Sequence, residues 1–181
     1  MQIPAMKQLS NQSLSEILQE LRAENTDLHR EALETLAFYF IQQLGLEFKA
    51  WRSKRSDKPE WAEVDAIAED THLVFSRWQI QCKNAPDYKI SEDDIAIEVG
   101  LSMQLKPNVI FIVTTGLFSR EALNYVDAVM SKTNLTIITF DREDLRVLVS
   151  SPQALVDILN KKARRTMGLR KLIANQNIIH L

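Results

Sequence analysis

Trp78-Gln79-Ile80-Gln81-Cys82-Lys83 reads as the close of a β-strand. Side chains of a strand alternate between its two faces. Trp78, Ile80 and Cys82 therefore share one face and suit a core. Gln79, Gln81 and Lys83 share the other, and all three are polar. Taken alone, the pattern describes an edge strand with one solvated face; the alternative is a strand that carries chemistry. The segment Glu63-Val64-Asp65-Ala66-Ile67-Ala68-Glu69 precedes it. Its strand, Val64 to Ala68, and a strand from Leu73 to Lys83 are close enough to form a hairpin turning near Asp70-Thr71. Asp65 then lies across from the 79–83 segment. A lone carboxylate in a buried strand is costly, so it needs a partner or a metal. It either pairs with Lys83 or joins it in a site.

Working outward, Leu46 to Trp51 is another extended segment. A polar loop with Arg52, Lys54, Arg55 and Lys58 follows, broken by Pro59. Before it, Thr26 or Asp27 caps a helix that runs to about Leu44 and stops at Gly45. Leu33, Leu36, Ala37, Phe40 and Leu44 form its apolar stripe, and Glu34 sits on the shoulder of that stripe. Glu34 is either a partly exposed ion-pair partner or a member of the site. Further upstream, Ser13 and Glu16 read as a capping box. They open a helix of about Leu14 to Asn25, with Leu14, Ile17, Leu18 and Leu21 on one side.

Downstream, Ser91 caps a helix from Glu92 to Leu105 that ends before Pro107. Val109-Ile110-Phe111-Ile112-Val113 is a short apolar run, which predicts a strand buried on both faces. Ser119 caps a helix carrying Ala122, Leu123, Val126, Val129 and Met130. Leu135 to Phe140 is a further buried strand, and Asp141 to Leu148 a short helix. Ser151-Pro152 predicts an N-cap and first position of a last helix. That helix is expected to end in Lys161-Lys162-Ala163-Arg164-Arg165, where cations suit a helix C-terminus. The same run also suits phosphate contacts or an oligomer arm. The order α-α-β-β-β-α-β-α-β, then helices, predicts an α/β fold: a mixed sheet with helices on both faces.

The chain of 181 residues, 45% hydrophobic and 25% charged, suits one compact globular domain with a small appendage. A net charge of -2 does not announce a nucleic-acid binder, though cations can still cluster locally. Cys82 is the single cysteine, so no internal disulfide is expected and the cytoplasm is the expected compartment. Met1 to Ser10 does not read as a signal peptide, and no stretch is apolar enough for a spanning helix. With four glycines and no Gly-x-Gly-x-x-Gly or Walker loop, a Rossmann-like small-molecule binder is disfavoured.

Taken together, these motifs resemble the Mrr-type branch of the restriction-endonuclease-like, or PD-(D/E)xK, nucleases. The matching features are Glu34 eleven residues before Gly45, Val64-Asp65-Ala66-Ile67-Ala68, and Gln81-Cys82-Lys83 as the Gln-x-Lys signature. Val113-Thr114-Thr115-Gly116-Leu117-Phe118-Ser119-Arg120-Glu121-Ala122 and Asp144-Leu145 extend the match over about residues 28 to 149. The chain departs from the family in having Glu60-Trp61-Ala62-Glu63 where a glycine-rich stretch is usual. It also has the neutral Gln81 where the wider fold has an acid.

The resemblance implies a restriction-endonuclease-like αβββαβ core over residues 28–150. A helical extension would precede it at 1–27, and a basic helical extension would follow at 151–181. It implies a metal-dependent DNA endonuclease in a restriction or defence setting, with Glu34, Asp65, Gln81 and Lys83 as the catalytic set. Mg²⁺ or Mn²⁺ would be held by Asp65, Glu34, the Gln81 side-chain oxygen and the Cys82 backbone carbonyl, all hard oxygen donors. The ion would activate water and stabilise charge on the phosphate; Lys83 would orient that water or stabilise the charge. Arg52, Lys54, Arg55 and Lys58, with Lys161, Lys162, Arg164 and Arg165, are the expected DNA contacts. A homodimer is expected, since cutting both strands usually takes two active sites, and further subunits of a defence system are possible partners. A competing reading is a nuclease-fold protein that binds nucleic acid or serves as an assembly subunit without cutting.

Overall fold

A computed structural model of the chain describes residues 13–22, 26–52, 63–70 and 76–178; the side chains of 26–30, 52, 63–65, 166, 167 and 169–178 lie outside that description. Lys54, Arg55 and Lys58 fall outside the described residues, as does the connection at 71–75.

The elements in order are α1 (Leu14–Glu20), α2 (Thr26–Gln43), β1 (Leu46–Arg52), β2 (Glu63–Asp70), β3 (Arg77–Lys83), β4 (Lys89–Ile90) and α3 (Glu92–Leu105). They continue with β5 (Val109–Thr114), β6 (Leu117–Phe118), α4 (Arg120–Lys132), β7 (Thr136–Phe140), α5 (Arg142–Ser150) and α6 (Ala154–Ile178). The capping box is present at α1, where Ser13 and Glu16 satisfy each other's backbone N–H groups. Ser91 and Asp94 do the same for α3, and Asp141 and Asp144 for α5. Gly45 ends α2 at φ 64°, a left-handed position that a side chain would strain.

Five strands form one sheet in the order β1-β2-β3-β5-β7, and β4 pairs with β6 in a separate two-stranded ladder. β1, β2 and β3 are antiparallel neighbours; β3, β5 and β7 run parallel. β2 and β3 form the expected hairpin, with Asp65 opposite Gln81 and Glu69 opposite Arg77, but β2 runs on through Asp70 and β3 begins at Arg77; the expected start at Leu73 and the expected turn residue Thr71 lie outside the described residues. The arrangement α2-β1-β2-β3-α3-β5 is the αβββαβ core, and α4-β7 extends it.

The edge-strand reading of the 78–83 segment is overturned. β3 is the middle strand, and its polar face is as buried as its apolar one: Gln79 and Gln81 are 0% exposed and Lys83 is 6% exposed. Alternation alone cannot separate a face turned to water from a face covered by a helix. β7, read simply as a buried strand, is the sheet's last strand and is covered on both faces.

Two cores sandwich the sheet. On one side, α1 and α2 pack Leu14, Ile17, Leu21, Leu33, Leu36 and Phe40 against Ala66, Ala68, Ile80, Cys82 and Phe111. Phe40, Phe111 and Phe140 pack edge to face there, with ring centroids 5.0 to 5.7 Å apart. Each such pair adds about 0.5–1.5 kcal/mol beyond area burial. On the other side, Ile95 of α3 and Ala122, Val126 and Met130 of α4 cover Ile110, Ile112 and Ile137.

The last helix differs from expectation. It begins at Ala154, after a turn at Pro152, and runs for 25 residues to Ile178. Lys161 to Arg165 therefore lies inside the helix, and the helix-end electrostatic argument does not apply to it. Lys162 is 2.8 Å from Asp144 and stacks over the Phe140 ring, and Arg165 pairs with Asp127. These two cations fasten α6 to α5 and α4, whereas Lys161 and Arg164 are exposed. Among the described residues, no helix is long and apolar enough to cross a membrane.

Candidate active site

The buried polar face of β3 lies under α3. Gln79 Nε2 donates to Glu98 Oε2 at 2.8 Å, and Glu98 is fully buried. Four residues along the strand, Lys83 Nζ donates to Asp94 Oδ1 at 3.1 Å. The two acids are one helical turn apart on α3 and meet the two ends of the strand's polar face. Between these pairs lies Gln81. Neither its Oε1 nor its Nε2 has a hydrogen-bond partner among the described residues, although both are buried. A buried polar atom left unpaired is destabilising by about 1–3 kcal/mol. Such exceptions in folded proteins call for an explanation.

Asp65 occupies the position on β2 directly opposite Gln81, and Ile112 occupies the one on β5. Ala66 and Ala68, at the alternating positions of β2, are in the opposite core. The structure thus brings Gln81 and Lys83 onto one face and sets Asp65 beside Gln81 in the register. It does not bring Glu34 onto that face. Glu34 is half-buried on α2, which packs on the side of Ile80 and Cys82. Arg52 ends β1 opposite Asp65.

Among the described residues, no cluster of three or more His, Cys, Asp or Glu side chains is placed to hold a metal. The donor set that fits one is different in kind. It is a buried amide oxygen without a partner among the described residues, next to an aspartate in the strand register, and such oxygen donors suit a hard divalent ion.

Asp94 and Glu98 escaped the sequence reading. Glu98 sits in the apolar run Ile95-Ala96-Ile97-Glu98-Val99, which is a signal, but its partner depends on how α3 crosses β3. Asp94 does double duty, since its Oδ2 also accepts from the Ser91 backbone N and hydroxyl at 2.8 and 2.7 Å. Burial pushes its pKa up, but the Ser91 hydrogen bonds and the Lys83 ammonium together hold it below the ordinary aspartate value. A lowered folded pKa stabilises the fold above the unfolded value, and that gain is lost as pH falls through the folded value. Asp94→Asn is therefore expected to lower the melting temperature at pH 7, by an amount that shrinks below about pH 4. A deficit constant with pH, read by circular dichroism, would count against a charged Asp94 in the fold.

A family model described as restriction endonuclease, the Mrr-type catalytic domain, matches residues 26–149. Among solved structures, the DNA modification-dependent restriction endonuclease AspBHI is similar at 11% identity and a TM-score of 0.42. The alignment covers 93% of this chain and 40% of that one, so this chain spans less than half of that protein's length. No curated protein matches. With the family model spanning the αβββαβ core and the Gln81-x-Lys83 strand, the chain belongs to the Mrr-type restriction endonuclease family.

Proposed function

We propose that this chain is a metal-dependent DNA endonuclease that hydrolyses phosphodiester bonds, in a restriction or defence setting. The observation that carries the reading is Gln81: a fully buried amide with neither atom partnered among the described residues, opposite Asp65 and two residues from Lys83. A core does not retain such a group for stability.

Asp65 and the Gln81 Oε1 are assigned to Mg²⁺ or Mn²⁺, with the Cys82 carbonyl as a further donor; Glu34, on the far side of the packed sheet, is not assigned to the ion. When bound, the ion supplies positive charge to the phosphate and makes water a better nucleophile. Lys83 supplies a second, fixed charge. Its ammonium is nearly buried, and Asp94 restrains it, so it requires little reorganisation when negative charge develops on the phosphate nearby. α3 thus acts as the brace that aims Lys83. DNA contacts are assigned to Arg52, Lys54, Arg55 and Lys58, and to the exposed Lys161 and Arg164 of α6. Lys162, half-buried and paired with Asp144, is better suited to holding α6 in place; the Arg165 pair with Asp127 is solvent-exposed.

The test is incubation with supercoiled plasmid. Nicking or linearisation is expected with Mg²⁺ or Mn²⁺ and none with a chelator. DNA bound but uncut under every metal condition would instead support a binding or assembly subunit.

A further inference from the structure

At the ends of β3 and β5 lies a cleft of about 920 Å³ that the site above does not use. Its floor is Asn84 and Thr115, the residues that follow Lys83 and Thr114. Three hydrogen bonds hold this floor. Thr115 Oγ1 donates to Asn84 Oδ1 at 2.8 Å, Ala85 N donates to Thr115 Oγ1 at 2.9 Å, and Thr115 N donates to the Lys83 carbonyl at 3.2 Å. Asn84 Nδ2 also donates to the Leu21 carbonyl at 2.9 Å, which fixes the end of α1 against the strand that carries Lys83.

The walls are α1 on one side and α5 on the other. They bring three arginines to the cleft, Arg22, Arg142 and Arg146, against one lining acid, Asp87. Arg22 is exposed and forms no ion pair with a described residue. Arg142 keeps its Nε buried with no hydrogen-bond acceptor among the described residues, although Glu143 Oε1 is 3.7 Å away. Arg146 pairs with Glu143 at 2.8 Å, and both side chains are solvent-exposed, a contact that is easily exchanged. Leu18, Leu145 and Val149 give the cleft an apolar side. α1 lies before the matched family region, so this wall of the cleft is added to the shared core.

We propose that this cleft binds the phosphate and sugar of a nucleotide: the guanidinium groups take the phosphate, and the leucine and valine side chains cover the sugar. Arginine forks match phosphate geometry in pairs of hydrogen bonds. Resting on the nuclease reading, the source of that nucleotide is the DNA strand next to the Lys83 end of β3, with the cleft gripping one side of the cut.

The test uses the full chain and the double variant Arg22→Ala/Arg146→Ala, with chelator present so that no DNA is cut. Binding of a labelled duplex is read by fluorescence anisotropy across a salt series. Calorimetry with deoxynucleoside monophosphate and inorganic phosphate is run beside it. Both arginines are exposed, and an unchanged melting temperature confirms the fold. The variant is expected to bind the duplex about tenfold more weakly at low salt. Its slope of log affinity against log salt should fall by about 1.8, the loss of two phosphate contacts. Wild-type binding of the mononucleotide, lost in the variant while duplex binding is unchanged, keeps the phosphate site and makes its source a free nucleotide. Wild-type affinity and slope for the duplex, with no mononucleotide binding that the variant loses, overturns the proposal. These outcomes are independent of cutting. Metal-dependent cleavage by a wild-type protein whose cleft fails the test leaves the nuclease reading intact. A cleft that passes in a protein that cuts nothing leaves only the cleft.

Discussion

Lys83→Met is expected to reduce metal-dependent DNA cleavage by at least about 10²–10³-fold while leaving duplex binding within a few-fold of wild type. The magnitude is that of removing one fixed charge or donor aimed at developing negative charge. Methionine keeps much of the lysine's length and volume, so the packing under α3 survives. Asp94 keeps both Ser91 hydrogen bonds, and its side chain is 23% exposed, so it is not stranded as a dry, unpaired charge. Its loss of the ammonium should lower stability by about 1–2 kcal/mol, short of unfolding. Asp65→Ala is expected to lose cleavage to background for a different reason, the loss of the main carboxylate for the ion. Purified variants assayed on plasmid and by anisotropy check both; cutting at the wild-type rate by either would remove that residue from the mechanism.

Gly116→Ala should give the largest loss of stability. A Cβ there would sit 2.1 Å from the Ala85 carbonyl oxygen and 2.5 Å from that of Tyr88. Both are backbone atoms, and neither moves alone. Ala85 N is tied to Thr115 Oγ1, Tyr88 N to the Ala85 carbonyl, and Arg142 N to the Gly116 carbonyl. The turn after Lys83, the turn after β5 and the start of α5 must therefore separate together. The expected loss is about 3 kcal/mol, or roughly 6–12 °C in melting temperature for a chain of this size. Gly100→Ala is the matched control. Nothing lies within 4 Å of its Cβ position inside α3, so it should be neutral or stabilising by up to about 1 kcal/mol. Equal melting temperatures for the two variants would contradict the close approach at Gly116.

The stretches legible in the sequence were those where one local signal sufficed. Ser13, Ser91 and Ser119 announce their helices by capping chemistry, and Val109–Val113 announces a buried strand by its unbroken apolar run. Spacing alone predicts a hairpin that sets Asp65 across from the 79–83 segment, and the register puts it opposite Gln81. What stayed hidden depends on tertiary placement. The polarity of Gln79, Gln81 and Lys83 looks the same whether water or α3 covers it. The pairing of α3's Asp94 and Glu98 with both ends of that face needs the crossing of helix and strand. The length of α6 was hidden because Lys161 to Arg165 mimics a helix end, whereas Lys162 and Arg165 are partnered by Asp144 and Asp127 on other elements. Glu34 stands out by its spacing to Gly45, but spacing along one helix does not reveal which side of the sheet that helix will cover.

The most direct measurement of the central claim is Gln81→Met, with melting temperature and metal-dependent plasmid cleavage recorded on the same preparation. If Gln81 is kept for chemistry, replacing its amide, which has no partner among the described residues, with an apolar side chain of similar shape leaves the melting temperature equal or higher. Cleavage in Mg²⁺ or Mn²⁺ then falls by about 10²-fold or more. Cleavage at the wild-type rate, with the melting temperature unchanged or raised, would contradict the assignment of the active site to this face of β3.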